Sequence, residues 1–180
     1  MFTYHIEGSI PVKGKIRASG NKNAALPCIA AVLLTDEPVT LKNVPEIEDV
    51  QVMFKVLDSL GCTVERLGRN EYRFTTADIV RSDIPLEYTK LIRASILFSG
   101  PLLARLGRVI LPPPGGDVIG RRRLDTHFLA FVALGARVEV DGQFKLTANK
   151  LVGDDIFLDE ASVTATENLI MAAVLAEGKT

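Results

Sequence analysis

The chain repeats itself. NAALPCIAAVLLTDEPVTL (23–41) passes from an apolar, helix-like stretch through a short turn into a strand-like stretch, and RASILFSGPLLARLGRVIL (93–111) does the same. A third copy opens at NLIMAAVLAEGKT (168–180). Leu34, Leu103 and Leu175, which close the three apolar runs, stand 69 and then 72 residues apart. The segments between them match as well. EDVQVMFKVLDSLGCTVE (48–65) has apolar residues at 50, 53, 56, 57 and 60, one face of an amphipathic helix, and its Leu-Gly end fits a glycine C-cap leading into a strand. LDTHFLAFVALGARVEV (124–140) repeats that pattern, with its Leu-Gly 74 residues after the first. Each unit therefore reads strand, buried helix, strand, amphipathic helix, strand, strand, an α/β arrangement with a period of about 70 residues. The units fall at about 12–80 and 81–152, with an incomplete third at 153–180.

Two expectations follow from the repeat. The first helix of each unit is apolar nearly all round, so it is expected to be buried on every side, with three such helices packed together and sheets outside them. The third unit stops after its helix, leaving apolar surface uncovered, so the chain is expected to be the N-terminal portion of a longer protein. Composition sets the outer limits. The chain is 47% apolar and 24% charged with a formal charge of −1, which favours neither nucleic acid nor an anionic membrane as a partner. MFTYHIEGSIPVKGK shows no basic n-region followed by an apolar h-region, and the longest apolar run, 24–34, contains a proline and is about half a membrane span. A cytoplasmic setting is expected. Cys28 and Cys62 sit in hydrophobic segments, where buried free thiols are expected, and His5 and His127 alone make a metal site a poor prospect.

Four stretches could carry chemistry. ASGNKNAALP (18–27) puts Lys22 and Asn23 at the start of the first buried helix, with Pro27 expected in its first turn. Free N–H groups and a lysine there suit an anion, and equally describe a surface lysine in a turn. YTKLIRASILFSG (88–100) sets Arg93 at the corresponding end of the second apolar helix, which calls for a structural carboxylate or an anionic ligand. The repeat brings Lys22 and Arg93 to the same end of neighbouring equivalent helices. LPPPGGDVIGRRRLDTHF (111–128) reads as a long loop that ends in Arg121, Arg122 and Arg123, with Asp125 expected to cap the next helix. Those guanidiniums suit a diphosphate or form a solvated charge run, and Asp117 is either an ordinary loop carboxylate or a general acid held against a ligand. ASVTATENLIM (161–171) offers Ser162, Thr164 and Thr166 before the third apolar helix, for capping or for phosphate oxygens, and Thr164 to Glu167 has capping-box spacing.

Taken together, SGNKNAALP, LTDEPVTLKNVPEIEDV, RASILFSGPLLARLG, LPPPGGDVIGRRRLDTH and SVTATENLIMAAVLAEG resemble the enolpyruvyl transferase family, in the branch that acts on nucleotide sugars. The resemblance runs from about residue 5 to the end in five ordered blocks. It implies an inside-out α/β barrel of two domains with three repeats each, this chain being truncated within the third repeat of the first. It also implies transfer of enolpyruvate from phosphoenolpyruvate to the 3′-hydroxyl of UDP-N-acetylglucosamine, with phosphate released and no metal or organic cofactor. The implied partners are those two small molecules and the C-terminal domain of the same chain, with no nucleic acid and no membrane. By the same resemblance Lys22 and Asn23 contact phosphoenolpyruvate and the sugar, and Arg93 and Arg122 hold phosphate-bearing groups. Arg123, Leu124 and Asp125 match the uridine-binding segment, and Ser162, Val163 and Thr164 the diphosphate-binding turn.

The sequence departs from the family pattern at Asp117, where relatives usually have the cysteine that the epoxide fosfomycin alkylates. A carboxyl can still donate a proton but is a far poorer partner for alkylation, so activity with fosfomycin insensitivity is expected. The resemblance also breaks at Asn21, where family members often have alanine or serine, at Arg123, which replaces a common proline in the uridine-binding segment, and at Glu160, where some members carry lysine. The family's second-domain aspartate and arginine are not in these 180 residues, which are not expected to turn over alone. A shikimate-phosphate transferase and a non-catalytic UDP-sugar-binding domain are the alternative readings.

Overall fold

The computed structural model describes residues 3–116 and 123–180. Asp117, Arg121 and Arg122 therefore lie outside the described residues.

The first unit opens with helix α1 (Lys22–Ala31), a 3-10 turn at Val32–Leu34, and strand β1 (Val39–Lys42). Helix α2 (Glu48–Ser59) then leads into the hairpin β2 (Thr63–Gly68) and β3 (Glu71–Thr75). The three strands form an antiparallel sheet in the order β1-β3-β2. After the short helix α3 (Leu86–Thr89), the second unit runs through a 3-10 segment (Arg93–Phe98), α4 (Ser99–Leu106), β4 (Arg108–Leu111), α5 (Asp125–Ala133), β5 (Arg137–Val140) and β6 (Phe144–Thr147). Its sheet has the same plan, β4-β6-β5. Helix α6 (Val163–Ala173) opens the third copy.

The two sheets are built by one packing rule. On β3, Tyr72 and Phe74 share a face by strand alternation and are buried. Phe54 of α2 meets both, with ring centroids 4.8 and 5.6 Å apart. In the second unit Phe128 of α5 meets Phe144 of β6 at 4.7 Å, while Leu146 is the fully buried residue of that central strand. Both amphipathic helices end as the sequence implies: Gly61 and Gly135 adopt φ of 94° and 93°, a backbone that costs a side-chain-bearing residue strain.

The apolar helices differ from the expectation of burial on every side. Only the middle one meets it, with Ser95 through Leu103 all buried. It lies between α1 and α6, touching both, whereas each outer helix keeps one side open. Helix α1 exposes Ala24 and Cys28, so Cys28 is not the buried thiol the sequence implied, while Cys62 is buried. Burial pushes the Cys62 thiol up to about 11. Helix α6 leaves Ile170 and Val174 more than half exposed on one stripe. At the α4–α6 crossing, a Cβ on Gly100 would lie 2.5 Å from the Asn168 carbonyl oxygen, so this approach requires glycine. Arg105 closes the other end of the helix layer: its Nη1 donates to the carbonyls of Leu33 and Thr35 and to Thr76 Oγ1, at 2.9–3.1 Å.

The expected leading strand of each unit is largely missing. Residues 3–20 form no strand, and the later copies retain only single parallel bridges, Asp83 with Ile110 and Val152 with Glu177. A strand exists only through its partner's hydrogen bonds, and among the described residues nothing pairs with 3–20. Pro27 is also displaced. Asn21 caps α1, accepting from the Ala24 N–H at 3.2 Å, so Pro27 is the sixth helical residue rather than one of the first turn. It removes the N–H that would have bonded to the Asn23 carbonyl.

Among the described residues no helix is long and apolar enough to cross a membrane.

Candidate active site

Three helical segments start on one side of the molecule. Lys22 opens α1, Arg93 opens the 3-10 segment, and Val163 opens α6 behind its cap, Ser162, whose Oγ accepts the Ala165 N–H at 3.3 Å. The starts converge because repeated units present equivalent ends in the same direction. Between them lies an open cavity of about 610 Å³ lined by Lys22, Asn23, Arg93, Arg123, Ser162, Val163 and Thr164, together with Asp49, His127 and Glu160. Two α-helix N-termini and the cations Lys22, Arg93 and Arg123 border one space, with the carboxylates of Asp49 and Glu160 beside them, so an anion there meets both helix starts and side-chain charge.

Seven of the candidate residues are thus brought together. Leu124 and Asp125 do not line this cavity. Leu124 packs against the core, and it, not Asp125, is the residue before α5; Asp125 is the first helical residue and makes no cap. Its carboxylate turns back instead to Arg123, whose Nε lies 2.9 and 2.8 Å from the two oxygens. That contact holds the Asp125 carboxyl below the usual carboxylate range. Arg123 also reaches Asp159 at 3.3 Å, and Asp159 accepts from Thr126 Oγ1 at 2.9 Å, so the base of α5 is a small charged network. A bidentate neighbour two residues away outcompetes a helix cap for a carboxylate. The capping box expected at Thr164 and Glu167 is likewise replaced by Ser162, which places Glu167 beyond the first turn.

Lys22 Nζ is 2.9 Å from Asp49 Oδ2 at the start of α2. Arg93 donates through Nη2 to the Arg123 carbonyl at 3.3 Å, tying the end of the long 112–124 connection to the second helix start. The near end is held by backbone: Gly115 and Gly116 donate to the carbonyls of Thr89 and Lys90 at 2.9 and 3.2 Å.

Asp49 and His127 were not singled out by sequence reasoning. No local spacing links Asp49 to Lys22. His127 did leave a signal: it sits 74 residues after Met53, the offset that relates the two Leu-Gly helix ends, so a polar ring stands at a core position of the repeat. Burial, with the nearby Arg93 charge, lowers its pKa to about 4, and the ring is neutral at physiological pH.

The duplicated helix–sheet unit with its shared helix starts is the architecture of enolpyruvyl transferases. The structure of the enolpyruvyl transferase NikO from Streptomyces tendae superposes over 92% of this chain and 39% of its own, with a TM-score of 0.76 at 21% identity. EPSP synthase from Acinetobacter baumannii covers the same shares at a TM-score of 0.71 and 17% identity, likenesses that establish the fold. The chain belongs to the EPSP synthase (3-phosphoshikimate 1-carboxyvinyltransferase) family, whose sequence model matches residues 6–180. Among similar curated relatives are proteins named UDP-N-acetylglucosamine 1-carboxyvinyltransferase from Treponema denticola, 63% identical, and Treponema pallidum, 62% identical, both over all 180 residues. A relative of the same name from Borreliella burgdorferi is 55% identical. The chain spans 42% of the length of these relatives.

Proposed function

We propose that this chain is part of an enolpyruvyl transferase that moves enolpyruvate from phosphoenolpyruvate to the 3′-hydroxyl of UDP-N-acetylglucosamine, releasing phosphate. The observation that carries the reading is the convergence of Lys22, Asn23, Arg93 and the Ser162–Thr164 turn on one cavity, in a chain 63% identical throughout to a relative of that name. Both substrates are anionic at several points, which suits helix starts and cations in one cleft. Lys22 and Asn23 contact phosphoenolpyruvate and the sugar, and Arg93 with Arg122 holds phosphate-bearing groups. The 123–125 segment receives the uridine, and Ser162, Val163 and Thr164 receive the diphosphate.

The chemistry is addition then elimination. The 3′-hydroxyl attacks C2 of phosphoenolpyruvate, its proton passing to a general base, as Asp117 delivers a proton to the methylene carbon, giving a tetrahedral intermediate. Return of a proton from that carbon to the Asp117 carboxylate and departure of phosphate from C2 restore the double bond. Neither a metal nor an organic cofactor takes part. The product would open peptidoglycan precursor synthesis in the cytoplasm, which ties the protein to cell shape and division. The remaining groups of the cleft come from a further domain of the same chain, the repeats at 12–80, 81–152 and 153–180 belonging to the first.

The shikimate alternative has one observation in its favour, the description of the family model. Titration of the full-length protein with UDP-N-acetylglucosamine and with shikimate 3-phosphate separates the two. Binding of the first, followed by phosphate release on adding phosphoenolpyruvate, is expected; binding of shikimate 3-phosphate alone would overturn the reading. The same enzyme is expected to survive fosfomycin, and Asp117→Cys to become sensitive. Steady phosphate release by the 180-residue chain alone would contradict the two-domain assignment.

A further inference from the structure

Helix α5 carries a histidine inside the protein, where its counterpart in the first unit is the fully buried Met53. Burying an imidazole in place of a thioether costs free energy unless both ring nitrogens are satisfied. Here both are. Nδ1 lies 3.1 Å from Asn168 Nδ2, and Nε2 lies 3.4 Å from Thr164 Oγ1. The orientation of the Asn168 amide follows from its other contacts. Its Oδ1 accepts from the Gly100 N–H at 2.8 Å, and its Nδ2 donates to the Ile96 carbonyl at 2.8 Å. A backbone N–H only donates and a carbonyl only accepts, so the amide cannot be turned over. Nδ2 therefore presents a hydrogen to Nδ1, which must be the bare nitrogen, and the ring proton belongs on Nε2.

The consequence reaches the cavity. With Nε2–H donating to Thr164 Oγ1, the threonine hydroxyl hydrogen turns away from the ring. Thr166, two residues on, directs its hydroxyl to the Ser162 carbonyl at 2.9 Å, whereas among the described residues no carbonyl takes the hydrogen of Thr164. Ser162 is in the same condition: its Oγ already accepts from the Ala165 N–H. The hydroxyls of Ser162 and Thr164 thus each have an oxygen occupied by a donor and a hydrogen left to give, whereas Thr126, which also lines the cavity, gives its hydrogen to Asp159; the first two are set for groups that only accept, such as phosphate oxygens.

We infer that His127 is a positioning residue: locked by Asn168 as the neutral Nε2–H tautomer, it sets Thr164 as a hydrogen-bond donor to an anionic oxygen at the start of α6. The inference rests on the reading that the 162–164 turn receives the diphosphate of UDP-N-acetylglucosamine.

Full-length protein with 15N-labelled histidine supplies the first test. A long-range 15N–1H correlation spectrum at neutral pH is expected to show His127 with a protonated Nε2 and a bare Nδ1; the reverse tautomer, or a doubly protonated ring, would overturn the inference. Binding supplies the second test, with UDP-N-acetylglucosamine as the probe. Thr164→Val, at an exposed position, and His127→Leu are each expected to weaken binding by about tenfold, the scale of one lost hydrogen bond to a charged group. His127→Gln, whose amide N–H can stand near the place of Nε2, is expected to recover most of that loss. The Thr164→Val/His127→Leu double variant is expected to bind little worse than either single one, because both remove the same contact. Additive losses, or equal affinity in all variants of a binding-competent protein, would overturn the role of His127. Failure of the unaltered protein to bind UDP-N-acetylglucosamine would overturn the reading of the site itself, and the spectrum would still report on the tautomer.

Discussion

The first two units share their elements and strand order, yet only the connection from strand to amphipathic helix differs greatly in length. Five residues, 43–47, join β1 to α2; thirteen, 112–124, join β4 to α5. The short link is an ordinary turn. The long one carries glycines, Asp117 and three arginines, and is tied at its near end to Thr89 and Lys90, at the end of α3, and at its far end to Arg93. A duplicated scaffold can keep one copy short for packing while the other lengthens the matching connection. The same contrast appears inside the helices, where Met53 serves the core and its counterpart His127 serves the cavity.

The largest effect that could break this comparison lies in the long connection. Asp117→Asn in the full-length protein is expected to lower kcat by about 10²–10⁴-fold, the usual share of a general acid, while thermal stability stays unchanged. Undiminished turnover would return the loop aspartate to ordinary surface duty. Next come the central strands, which the comparison holds to be equivalent. Phe74→Ala is expected to cost about 3–5 kcal/mol and Leu146→Ala about 2–5 kcal/mol in urea denaturation, both residues being fully buried. A negligible loss at either would mean that the two sheets do not contribute alike.

A pH series sharpens the Met53–His127 contrast. Because burial lowers the His127 pKa from 6.5 to about 4, the unfolded chain takes up a proton in that interval that the folded one refuses. Stability contributed by the neutral ring is complete above pH 6.5 and falls as pH falls toward 4, by up to about 1.4 kcal/mol per pH unit. His127→Met, copying the first unit, is expected to flatten that part of the denaturation profile; an unchanged slope would assign it to carboxylates. The smallest effect is expected at Asp49→Asn, which breaks the partly exposed contact with Lys22 and should change stability by less than about 1 kcal/mol. A greater loss would show that the short-link unit also holds the site rigid.

The repeat was readable because period and hydrophobic face are properties of the linear chain. The helices, the paired sheet strands and both Leu-Gly ends emerged from it, and with them the placing of Lys22 and Arg93 at the same end of equivalent helices. What escaped depends on neighbours. Cys28 reads as core in a uniformly apolar run, but whether it is covered depends on what lies beyond α1. Asp125 reads as a cap until Arg123 folds back onto it, and the 164–167 spacing reads as a capping box until Ser162 takes the cap two residues earlier. The leading strands failed for the same reason, since an extended segment becomes a strand only where an edge receives it.

The sequence by itself determined the period, the α/β class and the residues able to meet an anion, because spacing and side-chain chemistry are local. Only the tertiary structure decided that Asp49 sits against Lys22, that Arg123 is occupied by two carboxylates, and that His127 lies between Asn168 and Thr164. Apart from the local Arg123–Asp125 pair, those contacts join residues 27 to 41 positions apart, and hydrogen bonds of a few ångströms exist there only once packing has brought the elements together.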